Sequence, residues 1–149
     1  TARDESFDLV YVGSGEVPKE WQAEPNFHFL GPRTQAELAL LYQAVDLFVF
    51  PAEGEMFTLV MQEAMASGLP IIATAEPGYR EYDIDRNLLV LCERTSAVFK
   101  EQILAVLNDA ERLEAMSRYS MQLSKQYFDW ETNFARVLAI YDSLVPTTK

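Results

Sequence analysis

With 149 residues, 49% of them hydrophobic and 23% charged, the chain has the size and composition of one soluble folded domain, with no low-complexity stretch to suggest disorder. Twelve basic against twenty-three acidic residues leave a net charge of −11, a field that repels nucleic acid and anionic lipid and so disfavours either as a partner. Cys92 and His28 are each alone, which excludes an intrachain disulfide, a cysteine zinc site and a histidine metal pair; with no apolar run near bilayer length and no signal-peptide pattern after Thr1, a soluble, cytoplasmic protein is predicted.

The first strand-length apolar run is Phe7 to Val12 and the second Phe27 to Leu30, where His28 is read as a structural histidine rather than a catalytic one. Thr34-Gln35-Ala36-Glu37 is a capping box. It opens a helix with Leu38, Leu41, Tyr42 and Val45 at helical spacing, ending before Asp46. A third strand, Leu47 to Phe50, leads through a loop into a helix from Leu59 to Ser67, stopped by Gly68 and by Pro70 shortly after. Ile71 to Thr74 and Leu88 to Leu91 make the fourth and fifth strands. Beyond them the chain is helical, with stripes at Phe99, Ile103, Val106 and Leu107, at Met116, Tyr119, Leu123 and Tyr127, and at Trp130, Phe134, Val137, Leu138 and Tyr141. These stripes are read as core-facing, and Trp130 with Phe128 as an anchor for the last helix. Because the strand runs are continuous rather than alternating, they fit a parallel sheet covered on both faces, so the fold class is α/β with about five parallel strands and a helical C-terminal segment.

The segment that carries chemistry is Pro51 to Pro70, PAEGEMFTLVMQEAMASGLP. It reads as a strand end, a loop holding Glu53, Gly54 and Glu55, and a helix start with Thr58 as its N-cap. Ligands of open α/β sheets bind outside the carboxyl ends of the strands. There the unpaired amides of Leu59, Val60 and Met61 and the positive end of the helix dipole suit phosphate. Glu63 lies five residues past Thr58, about 7.5 Å along the axis, which is the reach from a bound diphosphate to the far side of an attached ribose. Glu55 lies on the other side, where a sugar on the terminal phosphate would project. For two arbitrary glutamates the plainer reading is a solvated loop residue and an exposed helix residue; the surrounding pattern shifts the balance.

That pattern, Glu55-x7-Glu63 followed by Ala64-Met65-Ala66-Ser67-Gly68-Leu69-Pro70, resembles the E-x7-E signature of the retaining family 4, or group 1, glycosyltransferases. LVYVGSG at residues 9–15, FLG at 29–31, ELALLYQAVDLFVFP at 37–51, LPIIAT at 69–74 and FDWE at 128–131 extend the resemblance in order over nearly the whole chain. It implies the Rossmann-like, C-terminal nucleotide-sugar-binding half of a two-lobed GT-B enzyme. A sugar would pass from a UDP- or GDP-sugar, UDP being the commoner donor, to an acceptor hydroxyl with retained configuration, without metal or cofactor. It further implies that Glu55 positions the donor sugar, that Glu63 holds the ribose, and that Phe57, Thr58, Leu59 and Val60 supply backbone contacts to sugar and diphosphate. Gly31 and Arg33 fall in the loop where relatives seat the base.

The chain departs from the family where Glu-Gly-Phe-Gly becomes Glu55-Met56-Phe57-Thr58, where paired glycines become Pro77-Gly78, and where a glycine before the last strand becomes Asn87, a residue that tolerates a left-handed turn. Arg80 and Glu81 are read as a solvated pair. The opening strand with its Gly-Arg loop and following lysine has no counterpart, nor has the acceptor lobe. The expectation is therefore a piece of a longer protein that transfers nothing alone. Its first and third strands would pair directly, be bridged by another chain, or leave a marginally stable sheet, and an uncovered stripe at Phe134 to Tyr141 would favour self-association. The alternative is a non-catalytic nucleotide-binding or scaffold domain of the same fold. A phosphoacceptor signalling domain would need acidic residues after its first strand, and Val12-Gly13-Ser14-Gly15 has none.

Overall fold

The computed structural model describes residues 7–144 apart from Met56. The chain divides into two compact units, one up to Leu41 and one from Tyr42 onward. In the first unit, β1 (Leu9–Val12) and β2 (Phe27–Gly31) form a parallel pair, with the short helix α1 (Lys19–Gln22) between them in sequence. Leu9 stands opposite Phe27 and Tyr11 opposite Phe29; one irregularity then sets Val12 against Gly31. Aromatic side chains dominate this pair: Phe27 and Phe29 stack at 6.1 Å, with Tyr11 and Trp21 against them. His28 is exposed, its Nε2 2.9 Å from Asp8 Oδ1, so the expected structural partner exists but at the surface. Helix α2 (Gln35–Ala44) starts on the capping box read from sequence: the Thr34 amide donates to Glu37 Oε2 at 2.8 Å and the Glu37 amide returns to Thr34 Oγ1 at 3.4 Å. Those bonds to Thr34, backbone first, hold the Glu37 carboxyl below its usual range. None of the described residues of this unit is buried, and a two-stranded sheet has little stability of its own.

In the second unit β3 (Phe48–Phe50), β4 (Ile71–Thr74) and β5 (Val90–Cys92) form a parallel sheet in that order, Phe48 opposite Ile71 and Ile72 opposite Val90. All four residues of the central strand β4 are buried, which its Ile-Ile-Ala-Thr sequence allows and a surface strand would not. Helices α3 (Leu59–Ala66), α4 (Ser96–Leu107) and α5 (Ala110–Phe128) pack around it. Their stripes meet the sheet in a core of Ile72, Val90, Phe99, Val106 and Met116. Gly68 closes α3 at φ +80°, a left-handed turn that strains any residue with a Cβ, while a Cβ there would meet Ser117 Oγ on α5 at an ordinary contact distance of 3.4 Å. Thr95 and Asp109 cap α4 and α5 through their side chains.

All five expected strands are present, β1 and β2 in one parallel sheet and β3, β4 and β5 in another. β5 begins two residues later than predicted because the amides of Leu88 and Leu89 turn back onto the Asp85 carbonyl at 3.0 and 2.9 Å. The short α1 and a 3-10 helix at Pro77–Glu81 carry too little periodicity to be read from sequence. Asn87 is not left-handed; among the described non-glycine residues only Phe57 has positive φ.

The third helical stripe corrects the core-facing reading and agrees with the expectation of an uncovered stripe at Phe134 to Tyr141. Helix α6 (Trp130–Leu144) is capped by Asp129, whose Oδ2 accepts the Thr132 amide at 2.8 Å, yet no described residue of it is buried. Trp130 is 78% exposed and stacks on Phe134 at 6.2 Å instead of anchoring the helix, whereas Phe128 does pack inward, onto Phe57. The period of 3.6 is present; the partner surface is not among the described residues. Ile72→Ala should therefore cost about 3 kcal/mol of unfolding free energy, as for a buried isoleucine, while Ile140→Ala on α6 should cost under about 0.5 kcal/mol. Urea unfolding of the two variants checks this, and equal losses would contradict the assignment of the core.

Candidate functional site

The loop between β3 and α3 is shaped by Phe57. Its φ of +32° is costly for a residue with a Cβ, on the order of 1–3 kcal/mol. The side chain, 5% exposed, is wedged between Tyr79 (4.9 Å, edge-on), Tyr82 (4.8 Å) and Phe128 (4.9 Å). Aromatic contacts of this kind contribute about 0.5–1.5 kcal/mol each, enough together to offset the strain. The Phe57 carbonyl accepts Gln62 Nε2 at 2.5 Å. Burial raises the Tyr79 phenol above its ordinary range, partly opposed by a backbone hydrogen bond it accepts from Phe57, and the hydroxyl itself donates to Met61 Sδ at 3.5 Å.

Upstream, the loop is tied at two further points. Gly54, left-handed at φ +73°, donates its amide to Glu76 Oε1 at 2.9 Å, and Arg94 meets Glu53 at 2.5 Å. The Arg94 pair is exposed on both sides and adds little energy. Glu55 follows directly, exposed and without a hydrogen bond to any described residue.

Helix α3 then begins at Leu59. Its first intrahelical bond runs from the Gln62 amide to the Thr58 carbonyl at 2.9 Å, so the amides of Leu59, Val60 and Met61 precede the ladder. Leu59 is 75% exposed and Val60 38%, leaving this turn open to solvent, while Met61, Ala64 and Met65 bury the opposite face. Thr58 stands at the N-cap position but, contrary to expectation, makes no side-chain cap bond; its Oγ1 is buried and has no hydrogen-bond partner among the described residues. The left-handed residue before it sets the direction from which the chain enters the helix, and Gln62 rather than Thr58 ties that entry down.

One turn further, Glu63 is half-buried, and Tyr42 donates its hydroxyl to Glu63 Oε2 at 3.3 Å. Burial, then the charge of Glu63 and this bond, push the Tyr42 phenol up to about 12. The second unit thus brings together Phe57, Thr58, Leu59, Val60 and Glu63 on one strand-to-helix connection, with Glu55 on the loop before it. Gly31 and Arg33 belong to the first unit. Gly31 ends β2 at φ +68° with open space where a Cβ would stand, beside a concavity lined by Tyr11, Gly13, Val17 and Phe29; Arg33 is exposed, its guanidinium on the Pro32 carbonyl. Arg80 and Glu81 are exposed, as read from sequence.

Residues 1–109 match the model of the family described as glycosyl transferases group 1. A D-inositol 3-phosphate glycosyltransferase of Corynebacterium urealyticum is 29% identical over 130 residues, 87% of this chain and 30% of that protein. A GDP-mannose-dependent alpha-mannosyltransferase of Mycobacterium tuberculosis is 45% identical over 74 residues, 49% of this chain and 20% of that protein. Among solved structures, sucrose-phosphate synthase of Thermosynechococcus elongatus superposes with a TM-score of 0.79 at 24% identity, covering 96% of this chain and 40% of that one. Anabaena HepE, solved with UDP-glucose, gives 0.73 at 22%, covering 91% and 41%. The architecture is that of the C-terminal, Rossmann-like half of a GT-B fold. The chain spans less than a third of the length of the curated relatives it matches.

If Glu76 fixes the loop, Glu76→Ala should raise hydrogen exchange at the Gly54 amide by at least about tenfold while leaving amides of β4 protected. Unchanged exchange at Gly54 would show that the loop is held by Phe57 alone.

Proposed function

We propose, because the chain belongs to the group 1 glycosyltransferases, that it is the donor-binding domain of an enzyme transferring a sugar from a nucleoside diphosphate sugar to an acceptor hydroxyl with retention of configuration. The observation that carries this reading is the solvent-open first turn of α3, behind a loop held rigid by Phe57, with a half-buried carboxylate one turn along at Glu63. Three amides without intrahelical partners and the positive end of the helix meet at this turn, an arrangement that stabilises a diphosphate and, more strongly, the charge that accumulates on it as the sugar departs. Glu63 accepts the two ribose hydroxyls. Glu55 meets the donor sugar, where it orients the anomeric carbon rather than acting as a base. The named donors of relatives and neighbours, GDP-mannose for one and UDP-glucose for another, support a nucleoside diphosphate sugar as the class and leave two bases to test.

Acceptor binding and turnover belong to the longer protein in this proposal, since the matched relatives are more than three times the length of the aligned segment. No metal or cofactor is assigned a role.

The test is a titration of UDP and of GDP into isotope-labelled chain, followed by amide shifts. Saturable shifts at Phe57 to Met61 are expected, and Glu63→Ala should weaken binding at least about tenfold, the scale for losing a charged hydrogen-bond acceptor in a partly buried site. Shifts at Gly31 and Arg33 in the same titration test the base contact separately. An affinity unchanged by Glu63→Ala would favour the scaffold reading.

A further inference from the structure

We propose that Tyr42 is the positioning residue for Glu63, holding its carboxylate in the one orientation that accepts two neighbouring ribose hydroxyls; the inference rests on the donor-site reading above. A glutamate on the flank of a helix has several rotamers of similar energy, and a ligand that needs one of them must select it. Here the selection is built in. Tyr42 is 8% exposed near the end of α2, and its ring meets Phe48 of β3 edge-on at 6.1 Å, so the phenol has little freedom of its own. Its hydroxyl reaches Glu63 Oε2 at 3.3 Å across 21 residues of chain.

The chemistry of the donor fits this task. With its pKa pushed up to about 12, the phenol remains a donor at any physiological pH, and being neutral it leaves the charge of Glu63 intact for the ligand. A lysine or arginine in the same place would neutralise the carboxylate and compete for it. The phenolic bond takes one of the roughly four acceptor positions that a carboxylate has. Tyrosine 42 does not touch the ligand; it acts through Glu63, and its hydroxyl stands in the same relation to the ribose as an outer support does to any preorganised site.

The test compares UDP or GDP, whichever the unaltered chain holds more tightly, with the 2′,3′-dideoxy analogue of the same nucleotide, against the unaltered chain, Tyr42→Phe and Glu63→Ala. Tyr42→Phe keeps the ring and its packing on Phe48. It is expected to weaken the ribonucleotide roughly three- to tenfold, to leave the dideoxy analogue within about twofold, and to have no further effect in the Glu63→Ala background. Equal weakening of both nucleotides would mean a purely structural tyrosine, and no weakening of either would mean that Glu63 orients itself; each overturns the inference while leaving the donor site standing. Failure of the unaltered chain to bind either ribonucleotide would instead remove the donor-site reading, and the inference with it.

Discussion

The left-handed backbone at Phe57 is the constraint on which the rest of the site depends. A helix start is defined by where the chain turns into it, and here that turn passes through a residue whose Cβ disfavours the conformation. The turn persists because Tyr79 and Tyr82 from one segment and Phe128 from the end of α5 clamp the ring. Everything downstream inherits that placement: which amides precede the helical ladder, which face of α3 carries Met61 and Met65 into the core, and where Glu63 falls one turn later. The chain reaches this strained turn with an aromatic wedge directly ahead of Thr58. Local rules broken with an evident compensation are characteristic of functional sites rather than of loops at large.

Much of this was legible from the residues. Continuous apolar runs announced the buried strands, the Thr34 and Glu37 pair announced α2, and Gly68 marked the end of α3, because each of those signals is local and each obeys a strong steric or hydrogen-bonding rule. The two glutamates were legible as a spacing. What the sequence concealed were the partners: Tyr42 for Glu63, Glu76 for Gly54 and Arg94 for Glu53, separated by 21, 22 and 41 residues. Tyr42 looked like one more apolar position of a helix stripe, and nothing in a helical period distinguishes a tyrosine that packs from one that also donates. Thr58 failed in the opposite sense. Threonine at a helix start caps on average, but the average assumes an ordinary entry, and a left-handed predecessor is not one.

The last helix shows a further limit of pattern reading. Trp130, Phe134, Val137, Leu138 and Tyr141 recur with helical period as surely as the stripes of α4 and α5, yet they lie exposed while those face the sheet. Periodicity states that a face is apolar; it does not state what covers it. The same caution applies to the five strands, whose number the sequence announced and whose division into a pair and a triplet it did not, because strand pairing is decided by contacts remote in sequence.

Electrostatics then constrains how such a site holds a diphosphate. A net charge of −11 opposes an anionic ligand at long range, but at physiological salt that field decays over about 8 Å, whereas the helix amides act in direct contact. The two glutamates are the sharper problem. A carboxylate 4 Å from a phosphate charge would cost about 4 kcal/mol at an effective dielectric of 20, and at 7.5 Å about half of that. In the proposed reading, Glu63 further along α3 and Glu55 on the loop before the amides each meet a neutral sugar ring and stay off the phosphates. The start of α3 itself offers amides and a helix dipole equivalent to roughly half a positive charge. In the proposed donor site, whose phosphates meet only partial charge, the ribose contact gains weight, and with it the orientation of one carboxylate and of the phenol behind it.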